Sequence, residues 1–236
     1  MNLKFLMAFF SAIAFGALIS AVTSCAPFRD SPFSDKLLSK DRSLNEQAQG
    51  RIQNIESDGL LRMAIIADVH QNYSDLNTAI YSINQTTNID FTVNLGDFTN
   101  SGYNLEYDQY IDSITSLRRP AFTVIGNHDS IGAGPELYRK AFSEVNFWFE
   151  SSSKRFIFFN SANWENPNGF DPQWLKDAVT SSTKSVIIFT HCSLQDKERA
   201  RLEVSMRANQ GRPRIANAGV CMRMPRPQRT RPQNTD

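Results

Sequence analysis

The sequence predicts an α/β fold of layered type, with mixed sheets flanked by helices. Three observations support it. Apolar strand-like runs alternate with amphipathic helical stretches between residues 60 and 125. An aromatic-rich strand pair and one more apolar strand follow before residue 191. Polar residues with ligating or acid–base chemistry sit just past the ends of four of these strands.

Leu60 to Ala67 is a continuous apolar run suited to a strand buried on both faces. Ser74 to Gln85 then sets Leu76, Ala79, Ile80 and Ile83 on one helical face. Phe91 to Leu95 is the second strand, and Leu105 to Arg118 repeats the helical pattern through Tyr107, Tyr110, Ile111, Ile114 and Leu117. Ala121 to Ile125 is the third, bounded by Pro120 and Gly126. Strand, helix, strand, helix, strand implies right-handed crossovers and a parallel sheet. Pro135 opens another helix, with Leu137, Tyr138, Ala141 and Phe142 on its buried face. Asn146–Glu150 and Arg155–Asn160 are close enough to pair as a hairpin. Asp171-Pro172 is an N-cap followed by proline at the first helical position, and Lys184 to Thr190 is the last strand.

The chain has 236 residues, 41% hydrophobic and 21% charged, which suits one soluble domain with appendages. Its net charge of +1 hides an asymmetry: 15 Lys+Arg against 20 Asp+Glu up to residue 195, then 10 against 4. Cys25, Cys192 and Cys221 show no paired spacing, which argues against a disulfide framework and a cysteine-rich zinc site.

The first 24 residues read as an export signal: a basic start at Lys4, then a nearly unbroken apolar run from Phe5 to Val22. Val22-Thr-Ser-Cys25 resembles the bacterial lipoprotein signal, which implies lipidation of Cys25 and a membrane-anchored, exported protein on the periplasmic side or the cell surface. Residues 25–59 are polar and proline-containing and read as a tether with one short helical turn.

Beyond the strand ends lie Asp68-Val-His70, Gly96-Asp97, Gly126-Asn127-His128-Asp129 and His191, so all three histidines of the chain are placed alike. Ligands of open α/β sheets gather at such ends. Carboxylate, amide oxygen and imidazole together suit borderline divalent metals. Singly, Asp68 also fits a cap, His70 a loop residue, Asp97 a turn former and His191 a satisfied core histidine.

The order Asp-x-His, Gly-Asp, Gly-Asn-His-Asp and a strand ending in His resembles the calcineurin-like metallophosphoesterase family over Leu60–His191. The resemblance implies a metallophosphoesterase sandwich of α/β type over residues 60–195. It implies two divalent metals (Mn, Fe or Zn), with Asp68 and His70 on the first, Asp97 bridging, and Asn127 and His191 on the second. A metal-bridging hydroxide would attack a phosphomonoester or phosphodiester. His128 and Asp129 would be catalytic, His128 binding a phosphate oxygen and protonating the leaving group while Asp129 orients its neighbours. The third residue after the bridging Asp, an Asp in the protein-phosphatase branch, is Asn100 here; without a Tyr at that position, the purple acid phosphatases are a poor match.

The family's fifth motif, Gly-His-x-His, has no counterpart, since no histidine follows His191 in this sequence. Composition also breaks near Gln195: residues 196–236 hold nine Arg and four Pro and no aromatic residue. The expectation is a fold incomplete at its C-terminus, followed by an Arg/Pro-rich disordered tail from a shifted reading frame. The alternative function is an inactive phosphoesterase-fold lipoprotein acting as a binding module. The tail lacks the interleaved aromatics of a nucleic-acid arm, and export argues against that partner.

Overall fold

A computed structural model of the chain describes residues 31–52, 55–151, 153–162 and 169–192. The expected export signal, Cys25, Cys221 and the basic tail lie outside the described residues. No helix among the described residues is long and apolar enough to cross a membrane.

The elements run α1 (Leu44–Arg51), β1 (Met63–Ile66), α2 (Tyr73–Gln85), β2 (Phe91–Asn94), α3 (Asn104–Ile114), β3 (Ala121–Thr123), a 3-10 turn (His128–Ser130), α4 (Gly134–Phe142), β4 (Phe147–Glu150), β5 (Lys154–Phe158), α5 (Pro172–Thr180) and β6 (Ser185–Phe189). One sheet is parallel, in the order β1-β2-β3; the other, β4-β5-β6, pairs β4 with β5 antiparallel and β5 with β6 parallel. The fold is therefore mixed α/β, two small sheets flanked by helices, as the alternating pattern predicts.

Period-2 alternation sorts side chains between three cores. Phe91, Val93, Phe122 and Val124 of the first sheet meet Phe149, Phe156, Phe158 and Phe189 of the second, so the sheets pack through a layer rich in phenylalanine. The alternate residues Ile157, Val186 and Ile188 turn to Leu175, Ala178 and Val179 of α5. Opposite, Leu76 and Ile80 of α2, Tyr107, Tyr110 and Ile111 of α3 and Leu137, Tyr138 and Phe142 of α4 form the third core, with Phe98 stacked on Tyr110 at 4.1 Å between ring centres.

Two expectations need correction. The first strand is not buried on both faces: among the described residues β1 is an edge strand, and Ile65 is 42% exposed. Nor is the described part of the polar segment a free tether. Asp108 of α3 accepts hydrogen bonds from the Leu38 and Ser39 amides at 3.0 and 2.9 Å. Lys140 pairs with Asp35. Asn45 in α1, 2% exposed, accepts from the Thr123 amide (2.9 Å) and donates to the Thr123 carbonyl (3.1 Å). One side chain thus supplies to edge strand β3 both bonds that a neighbouring strand would make.

Candidate metal centre

Three loops leave the C-terminal ends of β1, β2 and β3 side by side because the strands are parallel and in register. Backbone hydrogen bonds join the first two: the Asp68 amide donates to the Gly96 carbonyl and the His70 amide to the Asp97 carbonyl, both at 3.0 Å. Asp68, His70, Gln71 and Asp97 all have positive φ (54°, 42°, 66° and 54°), a region that costs non-glycine residues energy and persists where the surroundings enforce it. Here the enforced outcome is convergence of their side chains.

Asp129 locks the second and third loops together. Its carboxylate is fully buried and accepts four bonds: Asp97 amide 2.8 Å, Gly126 amide 2.9 Å, Thr99 amide 2.8 Å and Thr99 hydroxyl 2.8 Å. Burial and the neighbouring Asp97 charge push its carboxyl up to about 7, against the four donors that favour the anion. This carboxylate meets only protein donors, so Asp129 is a positioning residue; the catalytic role paired with that of His128 does not suit its place. Gly126 is dictated by the same close approach: a Cβ there would lie 2.1 Å from Asp97 Oδ1.

Asp97, 4% exposed, is the hub. Its Oδ1 accepts from the His128 amide at 3.0 Å, and its Oδ2 lies 3.2 Å from His191 Nε2 and 3.7 Å from His70 Nε2. Burial alone would raise its carboxyl; the His191 bond and charge outweigh it and hold Asp97 below the ordinary value. His191 is buried at the end of β6, with Nδ1 3.0 Å from the Leu95 carbonyl and Nε2 3.1 Å from Asn127 Oδ1. Burial pulls His191 down, but Asp97 outweighs it and the imidazole sits above its usual value.

These contacts test the fit to a metal. A carbonyl only accepts, so His191 Nδ1 carries the proton and Nε2 presents a lone pair to the Asp97 and Asn127 oxygens. Three acceptors facing one another need a cation between them or an added proton. His70 agrees: its Nε2 is 3.9 Å from Asp68 Oδ1 and 3.7 Å from Asp97 Oδ2. Such gaps are too long for hydrogen bonds but suit groups sharing an ion at about 2.1 Å each. Two ligand groups, Asp68–Asp97–His191 and His70–Asp97–His128, have their donor atoms within 4.8 Å of one another and share Asp97. The residues fit a divalent metal pair.

His128 stands at the rim, half-buried. Its Nδ1 lies 2.8 Å from the Asn100 carbonyl, and its ring meets that of His70 edge-on at 4.7 Å between centres. Asn127, His128, Asp68, His70, Asp97 and His191 are therefore brought together as the strand-end pattern anticipates. Sequence reasoning missed Thr99, which helps hold Asp129, and Glu106, which holds the loop carrying Asn100. A glutamate in the first turn of a helix was the available signal for Glu106, and it reads equally well as a cap.

The pattern of the calcineurin-like phosphoesterases matches residues 61–214, and the chain belongs to that family. The match runs past the compositional break near Gln195. No curated protein matches the chain. Among solved structures it is similar to a purple acid phosphatase from yellow lupin (Lupinus luteus) seeds, with 17% identity, TM-score 0.44, 56% of this chain and 30% of the other covered. It is also similar to a protein of unknown function from Aquifex aeolicus, with 16% identity, TM-score 0.37, 68% of this chain and 90% of the other covered. The chain thus spans about a third of the length of the lupin phosphatase.

Proposed function

We propose that this chain is a metal-dependent phosphoesterase whose ligands are Asp68, His70, Asp97, Asn127 and His191, with Asp97 shared between two divalent ions. The observation that carries the reading is Asp97: one buried carboxylate whose Oδ2 faces both His191 Nε2 at 3.2 Å and His70 Nε2 at 3.7 Å. When bound, the ions would neutralise phosphoryl oxygens and lower the pKa of an attacking water.

The chain's own residues do the rest. His191 is oriented by the Leu95 carbonyl so that Nε2 faces Asp97 and Asn127. His128 donates a hydrogen bond from Nδ1–H to the Asn100 carbonyl, which leaves Nε2 as the atom that exchanges protons. Placed at the rim, Nε2 suits contact with a phosphate oxygen and proton delivery to the departing alkoxide. Asp129 and Thr99 keep Asp97 and Gly126 in place without touching substrate.

The test is hydrolysis of 4-nitrophenyl phosphate and bis(4-nitrophenyl) phosphate with added Mn²⁺. Activity lost in Asp97→Asn is the expected result; an inactive wild-type protein that binds Mn²⁺ would instead favour the metal-binding module without catalysis. The same reading holds the domain outside the cytoplasmic membrane by a lipid on Cys25, supported by the Val22–Cys25 sequence. Incorporation of labelled fatty acid should vanish in Cys25→Ser; equal labelling of both proteins would overturn the anchor.

A further inference from the structure

Glu106 lies in the first turn of α3, is 3% exposed, and belongs to none of the ligand groups. Its carboxylate nevertheless collects four bonds from the loops beside His128. Oε1 accepts from the Asn100 amide at 3.2 Å and from the Gln71 side-chain amide. Oε2 accepts from the Ser101 amide at 3.1 Å and the Tyr103 amide at 2.9 Å. Ordinary helix capping explains the Tyr103 bond alone. The others reach outward in two directions. Asn100 is the residue whose carbonyl accepts the hydrogen bond from His128 Nδ1–H. Gln71 follows His70 in the left-handed turn, with φ of 66°. The rings of His70 and His128 in turn rest edge-on against each other.

We infer that Glu106 is a positioning residue for the proposed reaction: it fixes the Asn100 carbonyl that sets the tautomer and direction of the His128 ring, and through Gln71 it fixes the turn that carries His70. The inference deepens the phosphoesterase reading and rests on it for its catalytic consequence. A buried carboxylate is needed because all four partners are donors. A glutamine in its place does best with its NH2 on the Asn100–Gln71 side, where the Gln71 carboxamide can turn to accept, and the Asn100 amide then loses its acceptor. With Asn100 released, the His128 ring has no fixed partner at Nδ1.

The experiment compares wild type, Glu106→Gln and Asp108→Asn. Asp108 lies two residues on in the same helix and also accepts backbone amides, from Leu38 and Ser39 of the docked N-terminal segment. It matches Glu106 in kind, a carboxylate on the same helix that accepts backbone amides, but does not reach the rim. Ring ¹⁵N shifts of His128 in metal-free protein report the tautomer directly. Wild type and Asp108→Asn should show protonated Nδ1, and Glu106→Gln should show a mixture or the Nε2-protonated form. With Mn²⁺ present, misplacing the ring should lower kcat by up to about 100-fold. The loss should be greater for phenyl phosphate, whose leaving group needs a proton, than for 4-nitrophenyl phosphate, whose leaving group does not. Should Glu106→Gln fail to fold, the wild-type tautomer and the Gln71→Ala variant carry the test. That variant should move the His70 ring shifts while leaving His128 on Asn100. An Nε2-protonated His128 in wild type, equal effects of Asp108→Asn and Glu106→Gln, or equal losses on both esters would overturn the inference. A protein inactive on both esters fails the phosphoesterase reading, while the tautomer comparison still decides the role of Glu106 in the fold.

Discussion

Asp129→Asn isolates the lock between the second and third loops. Aspartate takes two donors on each oxygen: the Asp97 and Gly126 amides on Oδ2, the Thr99 amide and hydroxyl on Oδ1. Asparagine can keep one pair only. Its better choice retains the two backbone amides on oxygen and turns NH2 toward Thr99, whose hydroxyl can rotate to accept. The Thr99 amide is then left buried without an acceptor, at a cost of about 1–3 kcal/mol. The expected destabilisation is about 1–3 kcal/mol, read by urea unfolding of the metal-free protein at pH 5, where Asp129 is protonated in the fold and the variant differs in its donors and not in charge. It corresponds to a fall in Tm of roughly 2–12 °C for a domain of this size. Mn²⁺ affinity should fall too, by about 10- to 100-fold, because Asp97 loses its anchor. Stability within about 0.5 kcal/mol of wild type, the scatter of ordinary surface substitutions, would refute the assignment of Asp129 as the lock.

Three further outcomes follow from other contacts. Gly126→Ala places a methyl 2.1 Å from Asp97 Oδ1, so it should cost about 1–3 kcal/mol in a melt and weaken Mn²⁺ binding by calorimetry. Asn45→Ala removes both bonds to Thr123 and should cost about 2–4 kcal/mol while promoting oligomers on size exclusion, since edge strand β3 is uncovered. In metal-free protein, Asp129 binds its proton more tightly folded than unfolded, with a pKa of about 7 against 3.8, and His191 also lies above its ordinary value. Both contributions are present at low pH and lost as pH rises, whereas Asp97, held low, contributes throughout that window. Urea stability should therefore drop between about pH 4 and pH 7 through Asp129, with His191 extending the fall above pH 6.5, and a flat profile would contradict the buried placement of these groups.

The body of the fold was legible because its elements obey simple periods. Helix α2 matches its predicted span within one residue, and the Asp171-Pro172 start of α5 is confirmed by the Asp171 carboxylate accepting from the Trp174 amide at 2.9 Å. Helix α1 was not legible as a docked element. Its eight residues contain two apolar side chains, Leu44 and Ala48, and it is held by the tertiary bonds of Asn45, which leave no trace in a local pattern. The exposure of β1 was hidden for a similar reason: an apolar run reports strand character, not whether a neighbour covers its outer face. At the site, residues just past strand ends could be read from spacing alone. Asp129 reads in the sequence as a residue that orients its neighbours, and the four donors around it say which neighbours it holds. Glu106 acts through loops separated from it in sequence, and such closeness exists only in the folded chain.

The most direct test of the central claim is calorimetric titration of the metal-free chain with Mn²⁺, wild type beside Asp97→Asn. A shared bridging carboxylate predicts two ions per chain in wild type and loss of both in the variant. No binding in wild type, or a variant that binds as wild type does, would contradict it.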